Sequence, residues 1–354
     1  MSRNRGPSIE DVAREAGVSV ATVSRALRGL PNVAESTRVR IEEIAEKMNY
    51  RADPSAARLA TGRTQLVQLV TPTVDGWYFS RFIAGAVDLL IGRGYEAISH
   101  PVENPEQREV FLADMLRLEK RVDGLIIVDL NISEEAALKL SEAGIRVVTA
   151  GFKTQKFPAV ITDDYRVGYM ATEHLLDQGH RRIGLISGEP NHPLAFSVPG
   201  LRLAGYTGAL AAAGISIDTS LEQSGFFQAE GGRRAMERLL DLEDPPTAVF
   251  AMSDEMAFGA WAALNERGMS WSDGVGVVGV DDHELAELVG LTTVRLAPHE
   301  LGAAAADRLL QLIDDDGEFE PGAKADDIAN AARTEGIELV VRASTAMPHG
   351  VRGE

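Results

Sequence analysis

From Leu66 onward the chain alternates short apolar runs with amphipathic stretches of helical period, a pattern that leaves few folds open. The runs at 66–70, 96–99, 124–128, 146–149, 183–186, 248–252 and 275–280 predict strands. The helical stretches between them imply parallel sheets covered on both faces. Gly94, Gly144, Gly179, Gly214 and Gly268 each follow a helical stretch and precede a strand or its lead-in, where left-handed helix caps belong. Length and strand count predict two doubly wound lobes, with a ligand cleft at the carboxyl ends of the strands.

The first sixty residues read differently. Ser8 suits a helix N-cap, Asp11 favours the positive end of that helix, and Ile9, Val12, Ala13 and Ala16 share one face until Gly17 stops it. Ser19 is placed to cap a second helix, with Val23, Ala26 and Leu27 inward and Ala21, Ser24, Arg25 and Arg28 outward. A third helix over about 35–49 puts Ile41, Ile44, Ala45 and Met48 on one face. Two helices joined by a glycine turn form a helix-turn-helix pattern. Val20 and Ala21 are small enough to let the second helix approach base edges, and Arg25 can fork onto guanine. Ser19, Thr22 and Ser24 offer hydroxyls to phosphates. By pattern alone, an ordinary three-helix bundle with a solvated face fits equally well.

Charge separates the two regions. The formal net charge is -18, yet residues 1–63 hold eleven Lys and Arg against eight Asp and Glu, whereas the remainder holds 24 against 45. A mildly basic head on an acidic body can meet DNA while the body stays off it.

The run from Asp11 to Leu27, DVAREAGVSVATVSRAL, closely resembles the lactose/galactose repressor (LacI/GalR) family, and NYRADPSAARLATGR at 49–63 resembles that family's hinge. The resemblance implies an α/β protein with an all-α helix-turn-helix head and a two-lobed, periplasmic-binding-protein-like core. It also implies domains at 1–53 and 64–346, joined by a hinge at 54–63. The expected partners are a pseudo-palindromic operator DNA, a second copy of the chain in a homodimer, and a small-molecule effector, a sugar above all. Leu59 stands at the family's minor-groove wedge, and packing between head and body fits it as well. Ala34 replaces a frequent capping Ser, and Ala52-Asp53 replaces Pro-Asn, which predicts a weaker head and hinge.

In the body the resemblance assigns effector contacts to Tyr78, Phe79, Arg202, Phe227, Ser253 and Asp281. An arginine fork and a carboxylate can hydrogen-bond adjacent hydroxyls, and aromatic rings cover the apolar face of a sugar. Taken singly, Arg202 also reads as a surface ion pair, Phe79 and Phe227 as core, and Asp281 as a helix cap. Trp77 replaces a smaller polar residue and predicts a pocket that is either narrowed or biased toward a larger stacked ligand. The segment 339–345 resembles the family's last strand, and the acidic stretch 314–327 reads as a solvated loop.

Other classes fare poorly. Gly274 to Gly279 matches GxGxxG by letter but runs through an apolar strand, not a turn opening a helix. No nucleotide, esterase or zinc-protease motif is visible, and cysteine is absent, so neither an enzyme nor a cofactor or metal is expected. The N-terminus lacks a signal-peptide core and no run reaches the roughly 20 apolar residues of a membrane span, so a soluble, cytoplasmic protein without membrane contact is expected.

Overall fold

The computed structural model describes residues 7–27, 31–50, 63–115, 121–189, 194, 197–271, 275–315 and 336–345. They belong to two compact units, 1–64 and 65–354.

In the first unit, α1 (Ile9–Ala16) begins at Ser8, whose hydroxyl accepts the Asp11 N–H while Asp11 accepts the Ser8 N–H at 3.0 Å. This reciprocal cap satisfies two donors that a helix start leaves bare. Gly17 ends α1 at φ 63°, and α2 (Val20–Leu27) follows. The N-cap of α3 (Glu35–Lys47) is Ala34, which gives no side-chain cap, as its methyl group requires. Val12, Ala16, Val23, Ala26, Ile41 and Ala45 close a small core among the three helices.

The second unit holds two sheets. In the first lobe, β1 (Leu66–Thr71), β2 (Glu96–Pro101), β3 (Gly124–Val128), β4 (Arg146–Ala150) and β5 (Ala159–Val160) are parallel in the order β2-β1-β3-β4-β5. On one face of this sheet, Phe82, Ala86 and Leu90 of α4 (Trp77–Gly92) meet Leu301, Ala305 and Leu309 of α12 (Pro298–Asp314). Phe111 of α5 (Pro105–Asp114) and Leu140 of α6 (Glu134–Glu142) belong to a separate cluster that includes Leu125 and Ile127 of β3.

In the second lobe, α7 (Asp164–Asp177), β6 (Ile183–Ser187), α8 (Val198–Ala212), β7 (Glu222–Ser224), α9 (Ala229–Leu240) and β8 (Ala248–Ala251) come first. Then follow α10 (Asp254–Glu266), β9 (Gly276–Asp281), α11 (Glu284–Val289), β10 (Thr292–Arg295) and, after α12 has returned to the first lobe, β11 (Glu338–Val340). The sheet order is β11-β10-β9-β8-β6-β7, with β11 alone antiparallel among the described strands.

The seven expected strands are present, and Gly94, Gly144, Gly179, Gly214 and Gly268 all have φ between 71° and 95°. β10 escapes an apolar-run reading because two of its buried residues are threonines; Thr293 Oγ1 donates to Asp254 at 2.7 Å. The expected last strand is corrected. Only Glu338–Val340 pairs, while Ala343–Thr345 turns into a short 3-10 helix. There Ser344 Oγ accepts the Thr292 N–H at 2.7 Å and donates to the Val277 carbonyl at 2.6 Å, so a side chain takes over the role of the ladder.

Candidate functional site

On the head, α2 presents the face that its pattern predicts. Ser19, Val20, Ala21 and Arg25 are exposed, Thr22 and Ser24 are partly exposed, and Val23 and Ala26 are buried. Ser19 Oγ accepts the Thr22 N–H at 3.2 Å and lies 2.9 Å from Thr22 Oγ1, so both hydroxyls already serve the helix start. Arg28, Leu59 and the acidic run 316–327 lie outside the described residues.

A cavity of about 710 Å³ in the second unit is lined by Tyr78, Phe79, Arg202, Phe227, Ser253 and Asp281 together. Topology explains the convergence: Asp281 ends β9, Ser253 closely follows β8, and Gly151 and Asp129 directly follow β4 and β3. These are carboxyl ends of parallel strands, where doubly wound folds leave a crevice. Tyr78 and Phe79 come from the first turn of α4, their rings edge to face at 5.5 Å.

Arg202 is not a surface ion pair. It is 5% exposed, its Nε donates to Asp164 Oδ1 at 2.8 Å, and its Nη1 donates to the Met252 carbonyl. Burial alone would favour losing its proton, but the carboxylates of Asp164 and Asp281 outweigh burial and raise its pKa. Asp281 is not a cap either; α11 is capped by His283, whose Nδ1 accepts the Leu285 N–H at 3.0 Å. Burial pushes the Asp281 carboxyl up to about 7 against the opposing pull of Arg202.

The backbone at Asp281 and Asp282 has φ of 122° and 57°, conformations that are costly for side-chain-bearing residues. Neighbouring contacts hold this turn. Asp254, wholly buried, accepts the His283 N–H at 2.8 Å and the Thr293 hydroxyl at 2.7 Å, while Asp282 binds Arg295 and Arg342 at 2.7 Å each. Burial and the Asp281 carboxylate hold Asp254 well above the ordinary range. Phe226 and Phe227 are both left-handed, at φ 58° and 55°, and the Phe227 ring lies over Gly188, where a Cβ would come within 2.2 Å of it. Ser253 doubles as the cap of α10, its Oγ accepting the Met256 N–H at 3.3 Å.

Trp77 departs from expectation. It is absent from the cavity lining; its Nε1 donates to Glu284 Oε2 at 2.5 Å and its ring lies 5.1 Å from that of His283, so it links the first lobe to the second. Arg81 Nε adds a 3.5 Å ion pair to Glu284. The indole N–H needs an acceptor, and a carboxylate across the cleft supplies it.

Sequence reading missed Asp129 and Asp164. Both line the cavity, and Asp129 could have been found because it directly follows the apolar run Gly124–Val128. Asp164 carries no such local signal; only the fold brings it to Arg202. Burial and the Asp164 carboxylate push Asp129 up to about 7, and burial raises Asp164 against the pull of Arg202. No described helix is long and apolar enough to cross a membrane.

Comparison with known proteins covers nearly all of the chain. Residues 8–53 match the family described as bacterial regulatory proteins, lacI family, and residues 172–345 match a periplasmic binding protein-like domain. The HTH-type transcriptional repressor CytR of Escherichia coli (strain K12) is 30% identical over 346 residues, which span 96% of this chain and 97% of that one. A crystal structure of the lac repressor dimer bound to operator and the anti-inducer ONPF aligns with a TM-score of 0.80 at 27% identity, covering 96% of this chain and 99% of that one. A complex of the transcriptional regulator CelR with cellobiose aligns with a TM-score of 0.65 at 28% identity, again over 96% and 99%.

Proposed function

Because the chain belongs to the lacI family of bacterial regulatory proteins, a family of DNA-binding transcription regulators and not of enzymes, we propose that it is a repressor. In this reading a sugar or sugar derivative in the cavity sets its affinity for operator DNA. The observation that carries the proposal is the convergence of six residues drawn from positions 78 to 281, an arginine, a carboxyl, a hydroxyl and three aromatics, on one cavity of about 710 Å³. That volume suits a mono- or disaccharide-sized ligand, and the mixture of rings with hydrogen-bonding groups suits its two kinds of surface.

Two copies, each presenting α2, would read a pseudo-palindrome, with Arg25 at a base edge and Ser19, Val20, Ala21, Thr22 and Ser24 along the approach. Arg28 and Leu59 keep their places in the proposal on sequence grounds. The effector acts by preferring one arrangement of the two lobes, since only differential affinity shifts an equilibrium.

Operator titration by fluorescence anisotropy, with and without a panel of neutral sugars, tests this. Arg25→Ala should weaken specific binding by about 1–3 kcal/mol and relax one base pair per half-site. Asp281→Asn should still bind operator and lose its response to whichever sugar acts on the wild type. A wild-type-sized response in Asp281→Asn would remove Asp281 from the effector site.

A further inference from the structure

Asp129 is 8% exposed, yet among the described residues its Oδ1 has no hydrogen-bond partner. Buried carboxylates without partners are costly and rare in native folds, so the group calls for an explanation. Its placement is built. Asp129 directly follows β3 at φ 47°, and it lines the cavity beside Gly151. A Cβ on Gly151 would fall 1.8 Å from Asp129 Oδ1, so the bare glycine is what gives the carboxyl room.

The charged and titratable groups that act on Asp129 are Asp164 of α7, Arg202 of α8 and Tyr78 of α4. Arg202 is already engaged by Asp164 and the Met252 carbonyl. Among the described residues, seven acidic side chains line the cavity against that one arginine. The described wall therefore offers mostly acceptors and negative charge, with its one arginine paired to Asp164.

On the reading that the cavity receives the effector, we infer that Asp129 is the first lobe's recognition carboxyl. It accepts a hydrogen bond from a hydroxyl or amino group of the effector, and the cavity selects uncharged or amino-bearing polyols over phosphorylated or carboxylated ones. Among the described residues, an anion placed here would meet seven acidic side chains and one cation, Arg202, already paired with Asp164, whereas a polyol supplies the donor that Asp129 lacks.

Two measurements test the inference. In the ligand-free protein, Asp129→Asn keeps the shape and tolerates the left-handed backbone. A carboxyl whose folded pKa stands near 7, above its unfolded value, destabilises the fold increasingly as pH rises from about 4 to about 7. Asp129→Asn should therefore melt above wild type at pH 8, with the gap closing toward pH 5. A variant that melts lower at every pH would make Asp129 a structural residue and overturn the inference.

In the second measurement, glucose, ribose, cellobiose and glucosamine are titrated at pH 8 against glucose 6-phosphate, ribose 5-phosphate and glucuronate, by calorimetry on the full chain. The uncharged or amino-bearing members should bind, with Asp129→Asn weakening them roughly tenfold or more. Tighter binding of an anionic sugar than of its neutral parent, or an Asp129→Asn affinity within twofold of wild type, overturns the inference and leaves the cavity as the effector site. Binding by no sugar of either kind overturns the cavity reading and the inference with it.

Discussion

The second lobe brings its polar groups to the cavity already held. Arg202 is fixed by Asp164 and the Met252 carbonyl, and the Asp281–Asp282 turn is fixed by Asp254, Arg295 and Arg342. The first lobe brings two aromatic rings and Asp129, whose Oδ1 is without a partner among the described residues. One wall is preorganised at the expense of several buried charges. The other carries a buried carboxyl oxygen that no described group engages. A ligand that satisfies the first lobe while resting on the second gains most when both walls meet it together, which is the differential affinity a switch requires.

Removing the cation from the preorganised wall should produce the largest effect. Arg202→Ala leaves Asp164 buried and unpaired, and should cost about 3–5 kcal/mol in urea unfolding of the core. A loss below about 1 kcal/mol would mean that the pair is not what fixes this wall, and the contrast between lobes would fail. This expectation also bears on how the effector response is tested, because an Arg202 variant that loses the response has lost stability as well.

Asp254→Ala asks whether the wall is held from behind. It strips an acceptor from the Thr293 hydroxyl and the His283 N–H, and should cost about 1–3 kcal/mol. Sugar affinity should fall with it, because Asp281 stands on the freed turn. Unchanged affinity in a destabilised protein would show that Asp281 keeps its place without Asp254.

The smallest effect is expected where the lobes touch. Trp77→Phe removes the hydrogen bond to Glu284, and since Glu284 is exposed, stability should change by less than about 1 kcal/mol. Stopped-flow measurement should instead find faster ligand release, as a weakened link between lobes lets the cavity open. An unchanged release rate would make the Trp77–Glu284 contact incidental to closure.

Much of the fold was legible because its signals are local. Ser8 with Asp11, Gly17, and the five glycines after helices each act on neighbours within a turn, and all appear where the pattern put them. The long buried strands were readable for the same reason. β5, with two residues, and β10, with its paired threonines, were not, because their burial is decided by partners far along the chain. Six cavity residues were named from resemblance, and all six line one cavity, but the roles of their neighbours were hidden. Arg202 as a fork for hydroxyls gave no hint of Asp164, and Trp77 as a residue shaping the pocket gave no hint of Glu284.

What the sequence by itself determined is the order of elements, the helix-turn-helix head with its outward Arg25, and the strand ends from which a ligand site is built. Each of these follows from residue spacing over a few positions, where propensity, capping and period act. Only the tertiary structure decided which charges face one another: Arg202 with Asp164, 38 positions apart, Trp77 with Glu284, 207 apart, and Asp129 in a buried space cleared by Gly151. Charge state and hydrogen bonding in a cavity depend on what burial removes and which distant groups replace water, and neither is written in the local sequence.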